Sequence, residues 1–307
     1  MKRVLLAAGL LLALSASAVA QVTLRVGDQK GNARAVMEAA GVLKDVPYTI
    51  EWKEFVAAAP LLEALGAGAI ETGLVGDAPF TFAVASGVPV KAIAAIRQTQ
   101  EGLAMLVPES STIKSFDELK GKKIAVTKGA GSHYLLLAAL AKAGLTFKDI
   151  TPAYLPPADG RTAFVSNNVE AWVAWDPFLS STIRQSGARV LADGSEGLAS
   201  YKRYYLASAD YAAKHGDALN VIYGKLVEAG KWVKANPAAA ASQLAALWGI
   251  DAATVEEANS HRSYQVGAVT AAGLTEQQKI ADAFLAERVL PAKLDTSALA
   301  IWTPKAP

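Results

Sequence analysis

A glycine-rich turn that leads into a helix is the stretch of this sequence best suited to bind a ligand. Residues 127–144 read TKGAGSHYLLLAALAKAG and place Lys128, Ser132 and His133 around the turn. Glycines let backbone amides approach a small oxyanion, and the first N–H groups of a helix have no partner within it. The stretch lacks the terminal Gly-Lys-Ser/Thr of a P-loop. It therefore predicts a site for a small anion rather than for a nucleotide.

The residue types that catalysis needs are scarce. The sequence has no cysteine, and its three histidines, His133, His215 and His261, never recur at four-residue spacing, so no zinc site is predicted. Ser132 and His133 are adjacent, which does not suit a nucleophile and its base, and no G-x-S-x-G motif occurs. We therefore predict a binding protein that is not an enzyme and has no cofactor and no metal.

Short β-rich runs alternate with helical runs from Val22 onward. This alternation predicts an α/β fold with helices on both sides of mostly parallel sheets. The order strand, Asp, Pro, Phe, helix, Gly, strand occurs twice, in ETGLVGDAPFTFAVASGVPV (71–90) and in EAWVAWDPFLSSTIRQSGARV (170–190). The likeness indicates two lobes built alike, although two copies of a common α/β junction would also explain it.

Beyond Tyr211 the pattern is almost wholly helical, which permits a third, purely helical domain. We favour an arrangement in which the chain crosses to a second lobe near 104–107 and returns near 205–208. Lobe I then comprises 22–105 and 206–307, including the C-terminal helices, and lobe II comprises 106–205.

Four predicted strand-to-helix junctions would line a cleft between the lobes. Ligands bind at the carboxyl ends of parallel strands, and each helix N-terminus there carries a partial positive charge. The junctions are 27–31, 76–79, 127–132 and 175–177. Asp77 and Asp176 precede Pro79 and Pro177, which we place at the first helical positions. Helix capping explains both aspartates, although either could accept an amino group from a ligand.

Several side chains near these junctions have two interpretations. Lys30 and Lys128 lie within glycine turns and either contact the ligand or are solvated. His133 either donates to an oxyanion or caps its helix. Trp172 and Trp175 are three apart in a strand and point to opposite faces, so that one belongs to the core and Trp175 lies beside the cleft.

The first twenty residues predict a secretory signal peptide. Lys2 and Arg3 precede an apolar run at 4–14 and small residues at 18–20, so we expect cleavage before Gln21. The apolar run is too short to span a bilayer. Without Lys2 and Arg3, 28 basic residues face 28 acidic ones, which predicts no general affinity for nucleic acid or membranes. We expect an unanchored periplasmic monomer.

The chain resembles the periplasmic substrate-binding proteins of ABC importers for aliphatic sulfonates, within the nitrate, sulfonate and taurine group. The likeness lies in LRVGDQKGN, PLLEALGAGAIETGLVGDAP, LKGKKIAVTKGAGSHYLLLAALAKAGLTFKDI, YLPPADGRTAF, VEAWVAWDPF and SHR, which follow one another along nearly the whole chain after residue 20. The resemblance implies a type II binding-protein fold, two lobes that close on a small organic anion, and a membrane permease as partner.

The same resemblance implies contacts with the ligand at Gln29, Lys30, Gly31, Asp77, Ala78, Gly129, Ser132, His133, Trp175 and Asp176. His261 and Arg262 match a family pair that either reaches the ligand or supports the cleft. Where the family commonly has Phe-Pro-Ala-Gly-Pro, this chain has FVAAAP at 55–60, and Asp28 replaces a common aromatic residue. These departures leave the ligand tail open. The alternatives are taurine, nitrate or a thiamine-pyrimidine precursor as ligand, or an enzyme of pyrimidine synthesis on the same fold.

Overall fold

The computed structural model describes residues 22–29 and 31–305. The predicted signal peptide and Lys30 lie outside the described residues. Eleven strands form two sheets in this part of the chain. The first sheet contains β1 (Thr23–Gln29), β2 (Thr49–Phe55), β3 (Thr72–Gly76), β4 (Val90–Gln98), β10 (Lys202–Ser208) and β11 (Arg262–Gly267). The second contains β5 (Leu103–Val107), β6 (Lys123–Val126), β7 (Thr151–Tyr154), β8 (Ala171–Trp175) and β9 (Arg189–Asp193). Their spatial orders are β11-β4-β10-β3-β1-β2 and β7-β6-β8-β5-β9.

Helices cover both faces of each sheet, which confirms the predicted α/β class. They are α1 (Ala33–Ala39), α2 (Ala58–Gly66), α3 (Asp77–Ala85), α4 (Gly131–Lys142), α5 (Pro157–Val165), α6 (Phe178–Ser186), α7 (Ala209–Lys214), α8 (Gly216–Ala235), α9 (Pro237–Trp248), α10 (Ala252–Ser260) and α11 (Glu276–Ala286). On the first sheet, α1, α8 and α9 pack on one face and α2 and α3 on the other. On the second, α4 packs opposite α5 and α6.

Strand β10 illustrates why the strands read as apolar runs. Tyr204 and Leu206 join the core under α2 and α3, whereas Tyr205 and Ala207 join the core under α8 and α9. Successive side chains of a strand point to opposite faces, and both faces are buried here. The C-terminal helices α8 and α9 therefore share a hydrophobic core with the first sheet.

Both sheets are mixed, which corrects the prediction of mostly parallel sheets. β1 pairs in parallel with β2 and β3, but β10 runs antiparallel to β3 and β4. In the second sheet, β5 runs antiparallel to β8 and β9. β5 and β10 are the strands by which the chain enters each sheet from the other. The strands next to β5 and β10 run toward the other sheet. Because β5 and β10 begin at the edge where the chain arrives from the other sheet, they run away from that sheet.

The connections between the sheets also differ from the predicted crossings at 104–107 and 205–208. Both of those ranges lie within strands, because β5 belongs to the second sheet from Leu103 and β10 to the first from Lys202. The connecting residues are 99–102 and 194–201. Sequence patterns place strand ends only to within a few residues.

No helix in the described ranges combines the length and apolar character needed to cross a membrane.

Helix α11 makes a contact that joins the two halves of the molecule. Ile280 and Phe284 of α11 pack with Ala78 of α3 and Leu137 of α4. Helix α11 therefore touches a helix from each sheet.

The approach of α8 to β11 depends on Gly230. A Cβ at this position would lie 2.0 Å from the carbonyl oxygen of Tyr264, whereas a Cβ at Gly224 of the same helix would meet nothing within 4 Å. We expect Gly230→Ala to lower the free energy of unfolding by about 1–3 kcal/mol through overpacking. Gly224→Ala should raise it by up to about 1 kcal/mol, the difference in helix propensity. Urea unfolding measures both, and equal effects would contradict the packing argument.

Candidate functional site

A cavity of about 490 Å³ lies between the two sheets. Residues at or just after the ends of β1, β3, β6 and β8 line it, together with residues at the starts of β5 and β10: Gln29, Gly76, Thr127, Trp175, Leu103 and Arg203. Parallel strands that end at one sheet edge create such crevices. Residues of both sheets therefore face one shared space.

Three of the four predicted anion-binding junctions are occupied by aspartates of the chain itself. The backbone N–H groups of Arg34, Ala78 and Ser180 donate to the side chains of Asp28, Asp77 and Asp176 at 2.8, 2.9 and 3.0 Å. Each carboxylate satisfies an N–H group near the start of a helix and offsets its partial positive charge. These junctions have little left to offer an anionic ligand.

The junction before α4 has no such carboxylate. Its N-cap is Ala130, which forms no side-chain cap, and its first turn contains no acidic residue. Within the part of the chain that the structure describes, the N–H groups of Gly131 and Ser132 have no acceptor. The Ser132 hydroxyl is buried without a hydrogen-bond partner there. Both residues line the cavity, so the glycine-rich turn presents free donors to it.

A buried arginine that the sequence analysis missed faces the same cavity. Arg203 is 8% exposed, and desolvation lowers the pKa of its guanidinium. Among residues 22–29 and 31–305 no side chain lies within hydrogen-bond or salt-bridge distance of its guanidinium, and the Asp28 carboxylate beyond that distance offsets only part of the desolvation. A buried charge without a partner is costly, and an anionic ligand would offset that cost. The only sequence signal is an arginine inside the strand-like run KRYYLAS, which by itself does not distinguish a cleft from a sheet edge.

The structure places the predicted contact residues in two groups. Gln29, Gly129, Ser132 and Trp175 line the cavity, as does Lys128, whose Nζ lies 5.6 Å from the centre of the Tyr154 ring. Trp172 is in the core on the opposite face of β8, as the spacing predicts. The residues that do not line the cavity are Gly31, Asp77, Ala78, His133 and Asp176. Local contacts explain why each of these is elsewhere.

Asp77 and Asp176 are buried and bonded within the protein. The second carboxylate oxygen of Asp77 accepts from the N–H of Lys202 at 3.1 Å, and burial raises the pKa of Asp77 to about 6. The second oxygen of Asp176 lies 2.6 Å from Nδ1 of His261. Helix α3 begins at Asp77 itself, so Pro79 is its third residue rather than its first, and α6 begins after Pro177. Ala78, next along α3, is packed against α11.

His133 supports the glycine turn instead of facing the cavity. Its Nδ1 accepts from the N–H of Gly129 at 3.1 Å, so the proton of the neutral ring is on Nε2. The ring packs against Phe147 and Phe284, with centroids 4.8 and 5.1 Å away. Burial, with a smaller effect of Lys128, lowers its pKa to about 4. A neutral, enclosed imidazole fixes the turn whose amides face the cavity.

Arg262 and His261 join the two sheets behind the cavity, which favours support of the cleft over contact with the ligand. The guanidinium of Arg262 donates to the carbonyl oxygens of Gly31 and Asp176, each at 2.9 Å, and lies over the Trp248 ring. The hydrogen bond to Asp176 raises the pKa of His261. Gly31, which follows β1, is therefore tied to Asp176, which follows β8.

The remainder of the cavity wall is mainly apolar. Its side chains come from α2, α3 and the segments after α3 and β7: Leu62, Phe82, Ala83, Val88, Leu155 and Pro156. Ala57, Ala58 and Ala59 of the unusual FVAAAP stretch also line it and leave space there. Among the described residues that line the cavity, Glu63 is the one acidic residue, and it is exposed to solvent. The cavity thus has a cationic, donor-rich region and an apolar region.

Two sheets with flanking helices and a cavity between them define a periplasmic binding protein fold. The NMT1/THI5 like family model matches residues 53–240. The chain is 38% identical over 285 residues to an aliphatic sulfonates-binding protein of Escherichia coli (strain K12), covering 92% of this chain and 89% of that protein.

Solved structures agree with this likeness. The alkanesulfonate-binding protein SsuA of Xanthomonas axonopodis pv. citri, bound to MOPS, superposes with a TM-score of 0.84 at 36% identity, covering 92% of this chain and 98% of that one. The periplasmic aliphatic sulphonate binding protein SsuA of Escherichia coli gives a TM-score of 0.79 at 37% identity, with 92% of both chains covered. The chain belongs to the family of periplasmic aliphatic sulfonate-binding proteins, as its sequence resemblance predicted.

Burial of His133 makes stability depend on pH in a defined direction. The unfolded chain protonates this side chain near pH 6.5, whereas the folded protein does so only near pH 4. Between these values the unfolded state binds more protons, so stability falls as the pH falls, by up to about 3 kcal/mol for this group. His133→Gln keeps an acceptor for Gly129 and does not titrate.

Urea unfolding at pH 7, 5.5 and 4.5 checks this prediction. The wild type should lose more stability than His133→Gln as the pH falls. The raised pKa values of Asp28 and Asp77 act in the opposite direction but equally in both proteins, so the difference isolates His133. Parallel stability curves would contradict a neutral, buried His133.

Proposed function

We propose that this protein captures an aliphatic sulfonate between its two lobes and delivers it to the permease of an ABC importer. The observation that carries the proposal is that unpaired donors of Gly131 and Ser132 and the unpaired guanidinium of Arg203 face one cavity. A sulfonate has one negative charge, three acceptor oxygens and an organic tail, and it matches both regions of that cavity. The names of the relatives in Escherichia coli and Xanthomonas support this ligand class.

The head group binds where donors from the two sheets meet. Arg203 belongs to the first sheet and donates charge-assisted hydrogen bonds, while the start of α4, on the second sheet, supplies two amides and the Ser132 hydroxyl. The tail lies along Trp175, Phe82 and the alanines of residues 57–59. Nitrate has no tail and would leave most of the 490 Å³ unfilled. Taurine would bring an ammonium group into a mainly apolar wall.

Binding draws the lobes together about the connections at 99–102 and 194–201. Arg203 and the α4 amides are on different sheets, so a ligand that bonds to both favours the closed form over the open one. The closed form is the one that the permease recognises. We place the protein in the periplasm as a monomer, after removal of residues 1–20, with ligand binding and no catalysis as its activity.

Replacing Arg203 tests the proposed head-group site. Arg203→Gln should weaken ethanesulfonate and hexanesulfonate alike by about 10- to 100-fold, because a charge-assisted hydrogen bond contributes about 1.5–3 kcal/mol. Arg97→Gln is the matched control, because Arg97 is an exposed arginine on the neighbouring strand β4. Titration calorimetry measures both. If the wild type binds no sulfonate at micromolar levels, the ligand class is wrong.

The apolar wall predicts that affinity rises with tail length. Each methylene buried contributes about 0.8 kcal/mol, or about fourfold in affinity, so hexanesulfonate should bind more tightly than butanesulfonate and butanesulfonate more tightly than ethanesulfonate. Ala57→Leu fills part of the cavity and should abolish the gain for the longer tails while sparing ethanesulfonate. Ala67→Leu, at an exposed position outside the cavity, is the control. An equal loss for all tails in Ala57→Leu would place the tail elsewhere.

A further inference from the structure

Asp77 and Asp176 occupy equivalent places in the two sheets. Gly76, the last residue of β3, pairs with Arg203 of β10, so Asp77 comes next to Lys202 just beyond the ladder. Trp175, the last residue of β8, pairs with Leu103 of β5, so Asp176 comes next to Gly102. In both sheets the aspartate lies opposite the first residues of the chain after it crosses from the other sheet. The repeated strand-Asp-Pro-Phe pattern in the sequence thus marks two matching structural positions.

Each aspartate bonds both to the helix that follows it and to the arriving segment, Asp77 through its carboxylate and Asp176 through its backbone N–H. Asp77 accepts from the N–H of Ala78 in α3 and from the N–H of Lys202 at the end of the second connection. The N–H of Asp176 donates to the carbonyl oxygen of Gly102 at 3.2 Å, and its Oδ1 accepts from the N–H and hydroxyl of Ser180 in α6. Asp77 and Asp176 are 1% and 4% exposed, so water cannot readily replace these hydrogen bonds.

We propose that Asp77 and Asp176 are positioning residues that set the relative orientation of the two lobes, one at each connection. The inference goes beyond the proposed function and rests on it only in that ligand binding requires the lobes to approach each other. The carboxylate of Asp77 holds the start of α3 and the N–H of Lys202 where the chain enters the first sheet. The carboxylate of Asp176 holds the start of α6 through Oδ1 and, through Oδ2, Nδ1 of His261 on the first lobe. We call Asp77 and Asp176, with these contacts, the two pins. Together they restrict the lobes to orientations in which Arg203 faces the start of α4.

Further contacts carry the effect of each pin to the cavity. A Cβ at Gly131, the first residue of α4, would lie 3.7 Å from Oδ1 of Asp77, so this aspartate on the first lobe is close to the amides on the second. At the other connection, Arg262 bonds to the carbonyl oxygens of Gly31 and Asp176 and so joins the two lobes directly. Both pins therefore adjoin a contact between the lobes.

Asp28 provides an internal comparison. It is 4% exposed and accepts from the first turn of α1 as the other two accept from α3 and α6. Its side chain bonds neither to the N–H of Lys202, as Asp77 does, nor to a residue of the other lobe, as Asp176 does. Removing its carboxylate therefore disturbs a helix start without touching a pin. Asp28→Ala is the matched control for Asp77→Ala and Asp176→Ala.

The interlobe distance tests the inference without any ligand. The chain has no native cysteine, so nitroxide labels can be attached at Val56→Cys before α2 and at Val165→Cys in α5, which are 76% and 50% exposed. Pulsed electron–electron double resonance on the full ligand-free protein gives the distribution of distances between the two labels. Asp77→Ala and Asp176→Ala should each broaden or shift this distribution, while Asp28→Ala should leave it as in the wild type.

Hexanesulfonate affinity provides the second measurement. If a substitution lowers the fraction of molecules whose lobes have the binding-competent orientation to about a tenth, the apparent Kd rises about tenfold. Gly102→Ala serves if an aspartate variant does not fold, because its Cβ would lie 3.2 Å from the Cβ of His261 and should shift the mean distance. Unchanged distributions in folded Asp77→Ala, Asp176→Ala or Gly102→Ala would overturn the inference. Absence of sulfonate binding in the wild type would overturn the proposed function but leave the distance test intact.

Discussion

The site depends on polar groups that the fold leaves unpaired between its two lobes. The amides of Gly131 and Ser132, the Ser132 hydroxyl and the guanidinium of Arg203 all face one cavity, and no described residue accepts from them. Buried donors without partners cost free energy in any folded protein. Their presence on opposite sides of a cleft makes an anion that bonds to both sides the natural complement of the structure.

Strand direction explains how Arg203 comes to this position. Strands that run toward the cleft present their last residues and the following turns to it, as β1, β6 and β8 do. β10 instead starts at the cleft, because the chain has just arrived from the second sheet. A residue near the beginning of a strand therefore joins residues near the ends of others. The discontinuous path of the chain creates the antiparallel strands and brings the cation to the anion site.

Much of the architecture follows from local patterns, but the site follows only in part. Alternating apolar runs predict the helices and strands, and the glycine-rich turn at 127–132 predicts free backbone donors before α4. Strand direction could not be read from periodicity, because parallel and antiparallel buried strands have similar composition. Sequence also did not show whether an aspartate at a helix start turns to its own helix, as Asp176 does toward Ser180, or whether His133 is enclosed by distant aromatic rings.

The contrast between the capped junctions and α4 suits the site to a single negative charge. Carboxylates of Asp28 and Asp77 lie behind the cleft, where each already neutralises the start of its helix. One buried guanidinium and one uncapped helix start remain on the wall, together with the solvated Lys128 near the rim. A second negative charge on the ligand would lack a buried partner and would be repelled by Asp77, which adjoins Gly131. For a monoanionic head group, the Arg203 guanidinium and the α4 amides offset the repulsion from Asp77.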